Sequence, residues 1–222
     1  MLGCRVVAKA CYKKNMEFKD TITTEAELRA ILGEPDPTVA RKGRPRFDEF
    51  SRQFVEHSPF CVIASRNAVG QMDASPKGDP AGFALVLDDT TLALPDRLGN
   101  RIGDTFTNIL ESPEVAVIFL VPGKGDTLRV NGRAQIVRDG DLLERMAHKG
   151  KVPNLAIVVS VETMYFHCAK CMIRSSLWKP EGWPDVSDLP SLGTVLKTQL
   201  DWDIEQEKLD GLIEESYRDR LY

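Results

Sequence analysis

Leu128-Arg129-Val130-Asn131-Gly132-Arg133-Ala134-Gln135-Ile136-Val137 alternates apolar with polar side chains. Successive side chains of an extended strand point to opposite faces. Leu128, Val130, Ala134 and Ile136 therefore share one face, and Arg129, Asn131, Arg133 and Gln135 the other. An apolar face backed by a polar one is the mark of a strand in an antiparallel sheet, packed on a core on one side only.

The neighbouring segments repeat this texture. Val115–Val121 is an apolar run of strand length bounded by Pro113 and by Pro122-Gly123, and Leu155–Val161, with an extension to His167, closes the series. Towards the N-terminus, Phe60–Ser65 and Gln71–Ser75 read as a hairpin across Asn67–Gly70, with a tight break over Pro76–Pro80. Phe83–Leu87 and Thr91–Leu94 form another across Asp88-Asp89-Thr90. Two short helices, Asp104–Glu111 and Asp141–Lys149, each open on an aspartate that can cap free N–H groups. So many strands with so few helices argue against a doubly wound sheet and fit a mainly β fold with flanking helices, a closed or partly closed antiparallel barrel.

Outside this body, Thr24 and Glu27 make a capping box for a helix over Thr24–Leu32, ended by Gly33. A proline-rich, basic linker follows, expected to hold no regular structure. A second helix over Phe47–His57 places Phe47, Phe50 and Phe54 at helical spacing. The tail from Lys170 carries Trp178, Trp183 and Trp202, then a charged helix near Asp203–Tyr217.

Composition bounds the function. A net charge of −4 over 222 residues argues against a dedicated nucleic-acid binder, which needs a basic field. No run of eighteen apolar residues predicts a membrane span. Five cysteines without a framework spacing suit a reducing compartment, so the expectation is cytoplasmic.

Three stretches concentrate chemistry. The stretch Met72–Gly82 offers the Ser75 hydroxyl, the Lys77 ammonium group and free N–H groups near Gly78 to a phosphate or a flavin edge, and taken alone reads first as a hairpin connection of turn formers. Pro95–Asp104 sets Arg97, Asn100 and Arg101 ahead of a helix start, where N–H groups and the positive dipole end attract anions. Solvated arginines are its other reading, and it matches neither a Walker loop nor a dinucleotide fingerprint. Thr127, Arg129, Asn131 and Arg133 share a strand face that either meets water or lines a polar cleft.

Metal and nucleophile chemistry find little support. The pair Cys168 and Cys171 lacks the second pair a structural zinc needs, and it reads as structural, buried cysteines. A redox dithiol would require it to open a helix that follows a strand. The three histidines, His57, His148 and His167, have no partners for a hydrolase triad.

The order of five motifs resembles the pyridoxamine 5′-phosphate oxidase-related FMN-binding split-barrel proteins. They stand at Asp73–Asp79, Leu92–Arg101, Asn108–Pro113, Pro122–Ala134 and Arg174–Trp178. The resemblance covers roughly residues 45–185. It implies an antiparallel FMN-binding split β-barrel over 46–185, between a helical lead-in over 1–45 and a helical tail over 186–222, working as a homodimer with FMN at the interface. Ser75 and Lys77 would lie near the flavin or its phosphate, Asn100 and Arg101 would hold the phosphate, and Asp73 and Pro95 would touch the flavin or ribityl chain. Thr127, Arg129 and Asn131 would approach from the barrel face, and Arg174 and Trp178 from the late segment, in one reading that of the partner subunit.

The oxidase itself carries an arginine where this chain has Gln71, and an Arg-Lys pair where it has Asn100-Arg101. That departure argues against the pyridoxamine phosphate reaction. The expectation is an FMN-dependent oxidoreductase acting on a small organic substrate, with no general base in evidence. The alternative is a non-catalytic carrier or sensor that binds flavin or haem, and an OB-like barrel binding single strands is disfavoured by the charge.

Overall fold

In the computed structural model, which describes residues 18–222, the alternating stretch forms one of the two longest strands of a hairpin-rich sheet. Strand β1 spans Phe60–Arg66, β2 Met72–Gly78, β3 Leu85–Val86, β4 Thr91–Pro95, β5 Glu114–Leu120, β6 Thr127–Val137 and β7 Ala156–His167. Helices α1 (Glu25–Leu32), α2 (Pro37–Ala40) and α3 (Glu49–His57) precede them. Helices α4 (Asp104–Glu111) and α5 (Gly140–Arg145) fall between strands, and α6 (Lys170–Ser175), α7 (Leu192–Gln199) and α8 (Gln206–Asp219) follow. Contacts divide the chain between Arg41 and Lys42. In the first unit, α1 has the expected capping box at Thr24 and Glu27. Cys4 and Cys11 lie outside the described residues.

The seven strands make one antiparallel sheet in the order β2-β1-β5-β6-β7-β4-β3. The edge strands β2 and β3 are not paired with each other, so the sheet does not close. Strands β2 and β4 stand five steps apart, roughly 24 Å in a flat sheet at about 4.8 Å per strand. Yet residues of β2 and Pro95 at the end of β4 line one cleft. The sheet must therefore roll, and its split side is where that cleft opens.

Inside the roll, Ile63, Leu92, Leu94, Val117, Phe119, Leu128, Val130 and Val159 are buried in one core with Phe54 and Val55 of α3. At about 25 cal/mol per Å² of apolar surface removed from water, such burial is the main force holding the roll. Phe47 is buried just before α3, whereas Phe50 is exposed, because the helix begins only after the cap at Asp48 and the two rings leave helical register. A smaller cluster of Ala93, Leu143, Met146, Ala156 and Val158 packs α5 on the outer face.

Several expectations need correction. Strand β2 does not break at Pro76 but runs on to Gly78, with Pro76 opposite Val62. An edge strand tolerates a residue that cannot donate to a further ladder. Strand β3 shrinks to two residues, and the linker contains one helical turn, α2, opened by Asp36 and Pro37. Cys168 and Cys171 are exposed, because the chain leaves the sheet at His167.

Strands β6 and β7 pair along their whole length with a bulge at Asn131/Gly132. There the backbones approach so closely that a Cβ on Gly132 would lie 2.0 Å from the Ser160 carbonyl oxygen. Gly132→Ala is accordingly expected to lower unfolding free energy by about 3 kcal/mol in urea denaturation, the scale of strong overpacking.

Candidate functional site

Because side chains alternate along β2, Asp73, Ser75 and Lys77 share a face and are half-buried while their neighbours are exposed. That face forms one wall of an open cleft of about 940 Å³. The opposite wall is the loop after β4, Pro95 through Gly103, and the floor includes Thr105 and Phe106 of α4. Helix α4 is fixed to the sheet by buried polar contacts: Asn108 Nδ2 donates to Ser65 Oγ at 3.0 Å, and Thr105 Oγ1 donates to Asp73 Oδ2 at 3.3 Å.

The loop owes its path to two specific bonds and two left-handed residues. Arg97 Nε pairs with Asp79 Oδ2 at 2.5 Å, with the Asp79 side chain only 2% exposed, and Arg97 Nη2 donates to the Met146 carbonyl at 2.8 Å. Asn100 Oδ1 accepts from the Ile102 N–H at 3.0 Å. Arg101 (φ 62) and Gly103 (φ 74) both adopt positive φ, which is uncommon for a non-glycine residue and concentrates at functional sites. Gly103 caps α4 without any side-chain bond, so the first N–H groups of that helix have no capping side chain.

Six of the eleven residues expected at the site, Asp73, Ser75, Lys77, Pro95, Asn100 and Arg101, line this cleft. The other five do not line it within one chain. Thr127 is buried in β6. Arg129 donates to Tyr165 Oη at 2.8 Å and stacks over that ring. Asn131 Oδ1 is buried without a hydrogen-bond partner. Arg174 is exposed on α6, and Trp178 Nε1 donates to the Lys124 carbonyl at 2.8 Å.

Electrostatically the cleft is balanced rather than cationic: Lys77, Arg97 and Arg101 face Asp73, Asp96 and Asp104. Arg97 is already committed to Asp79. Lys77 makes no ion pair among the described residues and lies over the Phe106 ring at 5.8 Å. Burial pushes the Asp96 carboxyl above the ordinary aspartate value, against the opposing pull of Lys77. A raised carboxyl is easier to protonate beside an anion, which softens the repulsion. The donor set, an ammonium, a guanidinium, hydroxyls and an uncapped helix start, fits a phosphate monoester held by directed bonds. Among the described residues no His, Cys, Asp and Glu cluster could hold a metal ion.

Sequence reading missed Asp96 and the Asp79–Arg97 pair. Both aspartates lay within stretches already singled out, but their burial and pairing depend on the roll of the sheet.

A rolled antiparallel sheet split beside an anion-fitted cleft defines a small class of β-barrel proteins. The sequence profile described as pyridoxamine 5′-phosphate oxidase matches residues 47–168, more than half of the chain, and the chain belongs to that family. No curated protein matches it. Among solved structures it is similar to HupZ of Group A Streptococcus, at 18% identity, covering 54% of this chain and 93% of that one with a TM-score of 0.45. It is also similar to General Stress Protein 26 of Bacillus anthracis, at 17% identity over 51% and 88% of the two chains, TM-score 0.41. An FMN-binding protein of Syntrophomonas wolfei matches at 12% identity over 53% and 88%, TM-score 0.40.

Two variants probe the cleft. Asp79→Ala leaves the half-buried Arg97 without its carboxylate and should lower stability by about 1–3 kcal/mol, read by chemical denaturation. Since folding raises the Asp96 pKa, the native state binds the proton more tightly than the unfolded chain. Stability therefore falls as pH rises from the ordinary aspartate value through the raised one. Asp96→Asn removes that slope, so it should be more stable than wild type at neutral pH and lose the advantage in acid.

Proposed function

We propose that this chain is a cytoplasmic FMN-binding flavoprotein, a homodimer that acts as an oxidoreductase on a small organic substrate. The observation that carries this reading is the convergence of Ser75, Lys77, Asn100, Arg101 and the uncapped start of α4 on one cleft, in a member of the pyridoxamine 5′-phosphate oxidase family. Bound FMN supplies two-electron chemistry at its ring; the chain supplies grip, orientation and polarity. Lys77 and Arg101 hold the phosphate end, with Asn100 shaping the loop beneath it. Asp73, Ser75 and Pro95 meet the ribityl chain and ring edge.

Thr127, Arg129, Asn131, Arg174 and Trp178 reach the cofactor from a second copy of the chain in this reading. What supports this is that Arg129 and Asn131 are only half-buried in β6 and Arg174 is exposed on α6, so these side chains remain open to a neighbouring copy. Membrane attachment is not invoked: among the described residues no helix is long and apolar enough to cross a bilayer. Departures at Gln71 and Asn100-Arg101 argue against the pyridoxamine phosphate reaction itself.

Titration of the purified protein with FMN, followed by quenching of flavin fluorescence, tests the assignment. Arg101→Ala should weaken binding about 10- to 150-fold, since a hydrogen bond to a charged group contributes about 1.5–3 kcal/mol. Equal affinity in wild type and variant would remove Arg101 from the site. Bleaching of bound flavin by NAD(P)H under anaerobic conditions supports turnover, whereas flavin that no donor reduces returns the chain to the carrier reading.

A further inference from the structure

Strand β7 ends at His167, Cys168 follows at once, and Cys171 lies in the first turn of α6. The two thiols thus stand at a strand-to-helix junction, both exposed and both free. Ala169 has φ −70 and ψ −2 and Lys170 opens α6, so both residues between the cysteines have helical backbone. Four residues in such a turn bring their end Cα atoms within about 7 Å. A disulfide spans Cα separations up to about 6.8 Å.

That turn is held from outside. A Cβ on Gly125 would lie 2.6 Å from Ala169 Cβ, so the hairpin turn between β5 and β6 lies close against the first of the two residues between the cysteines. Beyond α6, Trp178 Nε1 donates to the carbonyl of Lys124 in the same turn. Cys61 is the contrast. It is fully buried, its thiol pushed up to about 12 by desolvation, and it has no access to a reaction partner.

The geometry points to a reversible dithiol–disulfide site formed by Cys168 and Cys171, which exchanges with small-molecule disulfides of the glutathione type. One thiolate attacks a sulfur of the disulfide, forming a mixed disulfide and releasing one small thiol. The second thiolate attacks the protein sulfur of that mixed disulfide, closing the Cys168–Cys171 bond and releasing the other small thiol. Two protein thiols are oxidised by two electrons, one small disulfide is reduced to two thiols, and the protons pass to solvent and the departing thiolates. Neither cysteine lines the cleft beside β2.

Lys170 lies between the cysteines, so trypsin separates residues 152–170 from residues 171–174. Full-length protein equilibrated with oxidised and reduced glutathione at set ratios, alkylated and digested, should yield these two peptides joined by a disulfide. The joined fraction should rise with the oxidised share and reverse on adding reduced glutathione. In Cys171→Ser a glutathione adduct on Cys168 should persist at least about tenfold longer than in wild type, since neighbouring attack outpaces attack from solution. Peptides that stay separate at every ratio, or adducts that decay equally in wild type and variant, overturn the proposal.

Discussion

The largely shielded pair of Asp79 and Arg97 ties together two parts of the sheet that pairing alone leaves apart. Asp79 stands just past the end of edge strand β2, and Arg97 just past the end of β4. Their charge-assisted bond crosses the split, and Arg97 also reaches the Met146 carbonyl beyond α5. Tyr222 adds a third element, donating its hydroxyl to Asp79 Oδ1 at 2.7 Å and stacking on His148. Taking both charges out of water is expensive, and only multiple hydrogen bonds offset that expense. The result is a loop whose first residues are locked while Asn100 to Gly103 turn through left-handed backbone towards α4.

The other constraint is the close approach of β6 and β7 at Gly132. The bulge there shifts the register between Asn131 and Gly132 and adds twist to the two longest strands. A sheet bent in its middle brings its ends towards each other. The position of Lys77 opposite the loop after β4 thus depends on a contact on the far side of the core.

Much of this fold was legible because its signals are local. Period-two alternation marked β6, apolar runs between turn formers marked β1, β5 and β7, and a capping box marked α1. What depends on neighbours was not legible. Whether Pro76 breaks a strand turns on its being at an edge, and α6, only six residues long, offers too few positions for periodicity. The same division holds at the site. Ser75, Lys77 and Arg101 could be singled out from clustered small and cationic residues, and the structure sets them along one cleft. Arg97 looked equivalent to Arg101 in sequence, and only the fold distinguishes an arginine spent on Asp79 from one facing the cleft. Arg129 stood out from strand alternation and Trp178 from family likeness, and within one chain neither lines the cleft.

The even mixture of acidic and basic groups around the cleft has a kinetic consequence. Opposed charges a few ångströms apart cancel at distances beyond a Debye length, about 8 Å in physiological salt. An anion approaching such a cleft therefore feels no long-range pull, and its encounter proceeds at the unassisted pace of diffusion and reorientation. Selection begins only once the ligand is inside, where each donor acts separately. Ionic strength, which governs capture by uniformly basic grooves, has little hold on a site of this kind.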